Sequence, residues 1–161
     1  MRIHGLFGSL NHSWVTVANI TNTDSEVQNI SKTFSSTNKG VVLLVDDDTF
    51  LLDTYSKRLK NAGYEAMTFS SAEDALDFLR SGNTVDLMLI DIIMPGMSGF
   101  EFLQKMKEEN LDNESIKIVL SNMGDQSEAV EKGNSLGVTK YMLKAESTPS
   151  DVLGLVDRML S

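Results

Sequence analysis

From Val41 to the C-terminus, short apolar runs alternate with stretches in which apolar residues recur every three or four positions. The run VVLLV (41–45) reads as a buried strand, and the segment after it puts Leu51, Leu52, Tyr55 and Leu59 on one helical face before closing at Asn61-Ala62-Gly63. YEAMTF is a second, weaker strand. Ser71 is placed to cap a helix burying Ala72, Ala75, Leu76 and Leu79, and Gly82-Asn83 ends it ahead of the strand DLMLI. Ser98, with Glu101 three residues on, forms a capping box for a helix carrying Phe102, Leu103 and Met106 inward. IKIVL (116–120) is the fourth strand, followed by a helix with Ala129, Val130, Gly133 and Leu136 on its apolar side; TKYML is the fifth. Thr148 as cap, Pro149 at the first helical position and Asp151 in the first turn start a final helix burying Val152, Leu155, Val156, Met159 and Leu160.

Five strand and helix pairs of this kind predict an α/β fold. Strands that are continuously apolar, with amphipathic helices between them, form a parallel sheet covered on both faces. The expected architecture is a doubly wound, flavodoxin-like five-stranded sheet in the order 2-1-3-4-5.

Residues 1–40 have a different pattern. They hold sixteen Asn, Ser and Thr and no sustained apolar period, which predicts a flexible polar arm ahead of a single folded domain over 41–161. His4, His12 and Trp14 lie in that arm and read as solvated tail residues. Charge sharpens the division: residues 1–40 carry three basic and two acidic groups, whereas the rest carries eleven basic against twenty-one acidic, a net of −10. A surface so acidic repels phosphate backbones and anionic lipid, so direct nucleic-acid or membrane binding by the folded part is disfavoured and proteins are the expected partners. No apolar stretch approaches the ~20 residues of a membrane span. The opening MRIHGLFGSL is too weakly apolar for a secretory signal, and the expected location is cytoplasmic. The absence of cysteine excludes disulfides and thiolate metal sites.

In a doubly wound sheet, chemistry gathers where the strands end. Strand one ends in Asp46-Asp47-Asp48, strand three in Asp91, strand four in Ser121-Asn122 and strand five in Tyr141-Met142-Leu143-Lys144. Asp48 is best placed as a helix cap. Three carboxylates brought within ~4 Å repel by roughly 4 kcal/mol per pair at an effective dielectric of ~20. A hard divalent cation such as Mg²⁺, or the Lys144 ammonium, would relieve this. A carboxylate beside Mg²⁺ and an ammonium can attack phosphorus and become an aspartyl phosphate, and Asp91, backed by a buried strand, is the expected nucleophile. Met94-Pro95 fixes a turn able to aim the Ile93 carbonyl at the metal.

Taken together, Asp46-Asp47, the run DIIMPGMSG from Asp91 to Gly99, Ser121, and Tyr141-x-x-Lys144 resemble the response-regulator receiver domain of two-component signalling, over roughly Val41 to Leu160. The resemblance implies that Asp91 accepts a phosphoryl group from a histidine kinase or histidine phosphotransfer protein. It implies Mg²⁺ ligation by Asp47, Asp91 and the Ile93 carbonyl, with Asp46 acting through a bound water. It also implies phosphoryl contacts from Ser121 and Lys144, and a Tyr141 that swings inward as the Ser121 loop closes. That movement would alter the face made by the fourth helix, fifth strand and fifth helix, where a downstream protein would dock.

The sequence departs from the family pattern at Lys144-Ala145, where the family generally has a cis-proline; a cis bond before Ala costs ~3 kcal/mol, so a trans peptide is expected. Asn122, Ile93 and Met123 crowd the approach of water and predict a long-lived phosphorylated state. The reading is a stand-alone receiver that is a phosphoacceptor rather than an enzyme with a separate substrate. The alternative is a pseudo-receiver that binds partners without turning over phosphate, against which stands the unbalanced charge of Asp46, Asp47 and Asp91. A hydrolytic aspartyl-phosphate phosphatase would pair the nucleophile with an acid two residues on, where this chain has Ile93.

Overall fold

The structure, a computed structural model, describes residues 38–111, 114–122 and 127–161. The polar arm, apart from Asn38–Gly40, and Met123 lie outside the described residues. The element order is β1 (Val41–Val45), α1 (Thr49–Asn61), β2 (Glu65–Phe69), α2 (Ala72–Arg80), β3 (Leu87–Ile90), α3 (Gly99–Glu108), β4 (Ile116–Ser121), α4 (Ser127–Ser135), β5 (Val138–Leu143), a 3-10 turn (Lys144–Glu146) and α5 (Pro149–Met159). The five strands are parallel and ordered 2-1-3-4-5, as the alternating pattern predicts.

Because side chains alternate along a strand, the sheet sorts its apolar residues into two cores. Leu43, Val45, Met88, Ile90 and Val119 pack with Leu76, Phe102, Leu103 and Met106 from α2 and α3. Val42, Leu44, Leu87, Leu89, Ile118 and Leu120 pack with Leu52, Tyr55, Leu59, Val152 and Val156 from α1 and α5. Both faces are therefore covered, which is why these strands carry no polar alternation.

The helix starts are the ones the sequence encodes. Asp48 accepts hydrogen bonds from the Phe50 and Leu51 amides, Ser71 caps α2, and Ser98/Glu101 and Thr148/Asp151 both close capping boxes. The β4–β5 pairing has one irregularity: Lys117 opposes Val138, but Ile118 opposes Lys140, so Thr139 is an extra residue in β5. Every described peptide bond is trans, Lys144–Ala145 included.

The edge of the sheet opposite the strand ends is closed by local bonds. The Glu65 amide donates to the Gly40 carbonyl and the Lys39 amide to the Gly63 carbonyl, so the folded part takes in residues just before Val41. Asp86 accepts from the Val41 amide at 2.7 Å, and Asp157 accepts from the Tyr64 hydroxyl at 2.7 Å.

Candidate phosphoacceptor and metal site

Adjacent strands β1 and β3 end side by side, Val45 in register with Ile90, so the residues that follow converge. Among the described residues, Asp46, Asp47 and Asp91 form a group whose ligand oxygens all lie within 4.8 Å of one another. Asp46 and Asp91 are each only 5% exposed, while Asp47 faces solvent.

Lys144 reaches this group from the end of β5. Its ammonium lies 2.6 Å from Asp46 Oδ2 and 2.8 Å from Asp91 Oδ2. Asp46 Oδ1 accepts from the Asp48 amide at 2.9 Å, and Asp91 Oδ1 accepts from the Ile92 amide at 2.7 Å and the Ile93 amide at 3.3 Å. Each buried carboxylate is thus held by backbone on one oxygen and by the shared ammonium on the other. Charge does not balance: three carboxylates face one ammonium, a local net of −2.

Burial pushes the Asp46 carboxyl above its ordinary value, and the opposing pull of Lys144 does not cancel it. For Lys144, burial acts to lower the ammonium, but hydrogen bonds to Asp46 and Asp91, together with their charges, hold it above its usual range. Tyr55, read from the sequence only as an apolar-face residue, is a neighbour of this site. Burial, with a further push from the Asp46 charge, raises its phenol.

The loop after Asp91 is fixed at several points. Met94 is buried in the core, and the Gly99 amide donates to the Ile92 carbonyl. A β-carbon at Gly99 would stand 2.1 Å from the Asp91 carbonyl oxygen, so α3 begins flush against the backbone of the candidate nucleophile. Glu73, at the start of α2, accepts from the Met97 amide at 2.9 Å, a tie that sequence spacing does not announce.

The remaining expected residues fall in different places. Ser121 is buried at the end of β4, in register with Leu143 and hence next to Lys144 along the sheet edge. Ile93 is 61% exposed beside Asp91, and Phe50, in the first turn of α1, is 74% exposed. Tyr141 does not join the carboxylates: its hydroxyl donates to the Val130 carbonyl of α4 at 3.1 Å, and burial pushes its phenol up.

The sequence profile of the response regulator receiver domain matches residues 42–155. The chain belongs to that family. Among curated relatives of the receiver, the heme response regulator HssR of Staphylococcus epidermidis is 36% identical over 102 residues, which is 63% of this chain and 43% of HssR. The chain thus matches less than half the length of that relative. Among solved structures, the chemotaxis protein CheY4 of Vibrio cholerae superimposes with a TM-score of 0.67 at 27% identity, covering 74% of this chain and 97% of CheY4. Response regulator DrrB of Thermotoga maritima gives 0.62 at 30% identity, covering 74% of this chain and 52% of DrrB. Receivers are phosphoacceptor signalling domains of two-component systems, and generally bind Mg²⁺ through an acidic cluster. The group found here fits such an ion: it offers hard oxygen donors, and its spread approaches the ~4.2 Å that separates opposite ligands of an octahedral Mg²⁺. No helix among the described residues is long and apolar enough to cross a membrane.

Proposed function

We propose that Asp91 is the phosphoacceptor of this receiver and that its phosphorylation state is read by a protein partner. The observation that carries this reading is the clustering of Asp46, Asp47 and Asp91 within 4.8 Å, with the Lys144 ammonium bonded to two of them. A fold gains nothing from such excess charge, because an ion pair buried with a surplus carboxylate costs more in desolvation than it returns.

The donor is a phosphohistidine of a kinase or phosphotransfer protein. An Asp91 carboxylate oxygen forms the new bond to phosphorus, the P–N bond breaks, and its electron pair returns to the donor imidazole. The Ile92 and Ile93 amides keep the carboxylate oriented. Lys144 neutralises charge on a phosphoryl oxygen, and Ser121 donates a hydrogen bond to another. Asp47, Asp91 and the Ile93 carbonyl would hold Mg²⁺ directly and Asp46 through water; the bound cation supplies further charge neutralisation on the phosphoryl group. The exposed Ile93 side chain shields the acyl phosphate from water, so the product is long-lived. The output is a change in the α4–β5–α5 face, with Tyr141 as its moving part.

The test is intact-mass measurement after incubation with acetyl phosphate and Mg²⁺. One added phosphate is expected on the native chain and none on Asp91→Asn. No addition to the native chain, or addition that survives the substitution, would return the protein to the pseudo-receiver reading. Decay of the adduct within seconds would remove the shielding role of Ile93.

A further inference from the structure

Gly133 lies inside α4, in ordinary helical conformation, where glycine is a poor choice because it adds chain entropy and no packing. Its backbone does not require glycine; its surroundings do. A β-carbon built at 133 would stand 1.7 Å from the Tyr141 hydroxyl oxygen and 2.9 Å from the ring carbon bearing it, with Val138 Cγ2 at 3.3 Å. The phenol therefore occupies the volume that a side chain at 133 would fill. From there its hydroxyl donates to the Val130 carbonyl, and its ring packs on the core beneath α4.

We infer that Gly133 is a positioning residue for Tyr141: the notch it leaves in α4 is the seat of the phenol, and residue 133 sets whether that seat is available. The crowding falls on the far end of a side chain, so a methyl group at 133 is accommodated by expelling the hydroxyl, leaving the helix intact. The expelled ring would then be presented on the surface between α4 and β5. The inference rests on the proposed role of Tyr141 in one respect, namely that the seated ring accompanies phosphoryl binding. Under that linkage, whatever closes the seat must weaken binding of a phosphoryl group by the same factor.

The pair makes a double-mutant cycle. Full-length protein, native, Gly133→Ala, Tyr141→Phe and the combination, is labelled with 3-fluorotyrosine and examined by ¹⁹F NMR, and beryllofluoride with Mg²⁺ is titrated as the phosphoryl analogue. The chain has three tyrosines, so the Tyr141 resonance is the one lost in Tyr141→Phe. In Gly133→Ala that resonance should move to a solvent-exposed position while those of Tyr55 and Tyr64 stay, and beryllofluoride affinity should fall about fivefold. Removing the hydroxyl removes the closest contact, so Gly133→Ala should have little effect on affinity in the Tyr141→Phe background. An unmoved Tyr141 resonance overturns the seat. A tighter complex, or an equal loss of affinity in both backgrounds, overturns the linkage. Failure of the native chain to bind beryllofluoride at all would refute the proposed phosphoacceptor function, while the resonance would still decide whether Gly133 seats Tyr141.

Discussion

The two edges of the sheet handle buried acid in opposite ways. At the edge where strands begin, Asp86 has the Val41 amide and Asp157 has the Tyr64 hydroxyl, with Lys39 at 3.4 Å. Each carboxylate has a donor of its own. At the edge where strands end, Asp46 and Asp91 share a single ammonium, and Asp47 adds a further negative charge. The first arrangement holds the chain together; the second leaves charge for something outside the chain to complete. Stability measured with and without Mg²⁺ should therefore separate the two edges.

Lys144→Met should give the deepest loss, about 3 kcal/mol in EDTA, since it strands two buried carboxylates. Mg²⁺ should recover more stability in this variant than in the native chain, read as the difference in denaturant midpoint with and without the ion. Equal recovery in the two would break the contrast. Asp86→Ala should cost about 1–2 kcal/mol by orphaning the Val41 amide, and by the same amount with and without Mg²⁺. Asp91→Asn should raise stability in EDTA by about 1 kcal/mol, as it takes one buried charge out of a crowded group, and should shrink the Mg²⁺ increment. Tyr64→Phe should cost about 1 kcal/mol near neutrality.

Tyr64 also predicts a pH effect. Burial, then its bond to the charged Asp157, pushes the phenol up to about 12 from its model value of 10.0. A phenol ionises more readily in the unfolded chain, so its stabilising contribution is complete below pH 10 and is lost as pH rises towards 12. Lys144, also raised, loses its contribution in the alkaline range above its ordinary 10.5. Tyr64→Phe should make the decline in stability between pH 10 and 12 shallower, whatever the Mg²⁺ concentration.

Much of this was legible in the sequence because it depends on residues close together in the chain or on strand ends. The capping boxes at Ser98 and Thr148, the sheet order, and the meeting of Asp46, Asp47, Asp91 and Lys144 all follow from where apolar runs stop. The strand bounds differ slightly, with β5 beginning at Val138 instead of Thr139. What escaped depends on through-space fit. Gly133 looked like one more small residue on a helical face, since no local pattern reveals that a phenol from the next strand fills its missing side chain. Glu73 and Met97 are bonded across twenty-four positions, and Tyr55 owes its proximity to Asp46 to helix orientation. The extra residue in β5 was equally hidden, because Thr139 fits a strand whether or not it has a partner opposite.

That single unmatched residue has a reach beyond its size. Val138 and Tyr141 are three apart yet line the same core, which an uninterrupted strand would forbid. A chain shortened by one at Thr139 would point the phenol away from α4 and turn Lys144 from the acidic pocket, so the outermost strand acts as a phase-shifter whose half-step puts sensor and readout on their proper sides.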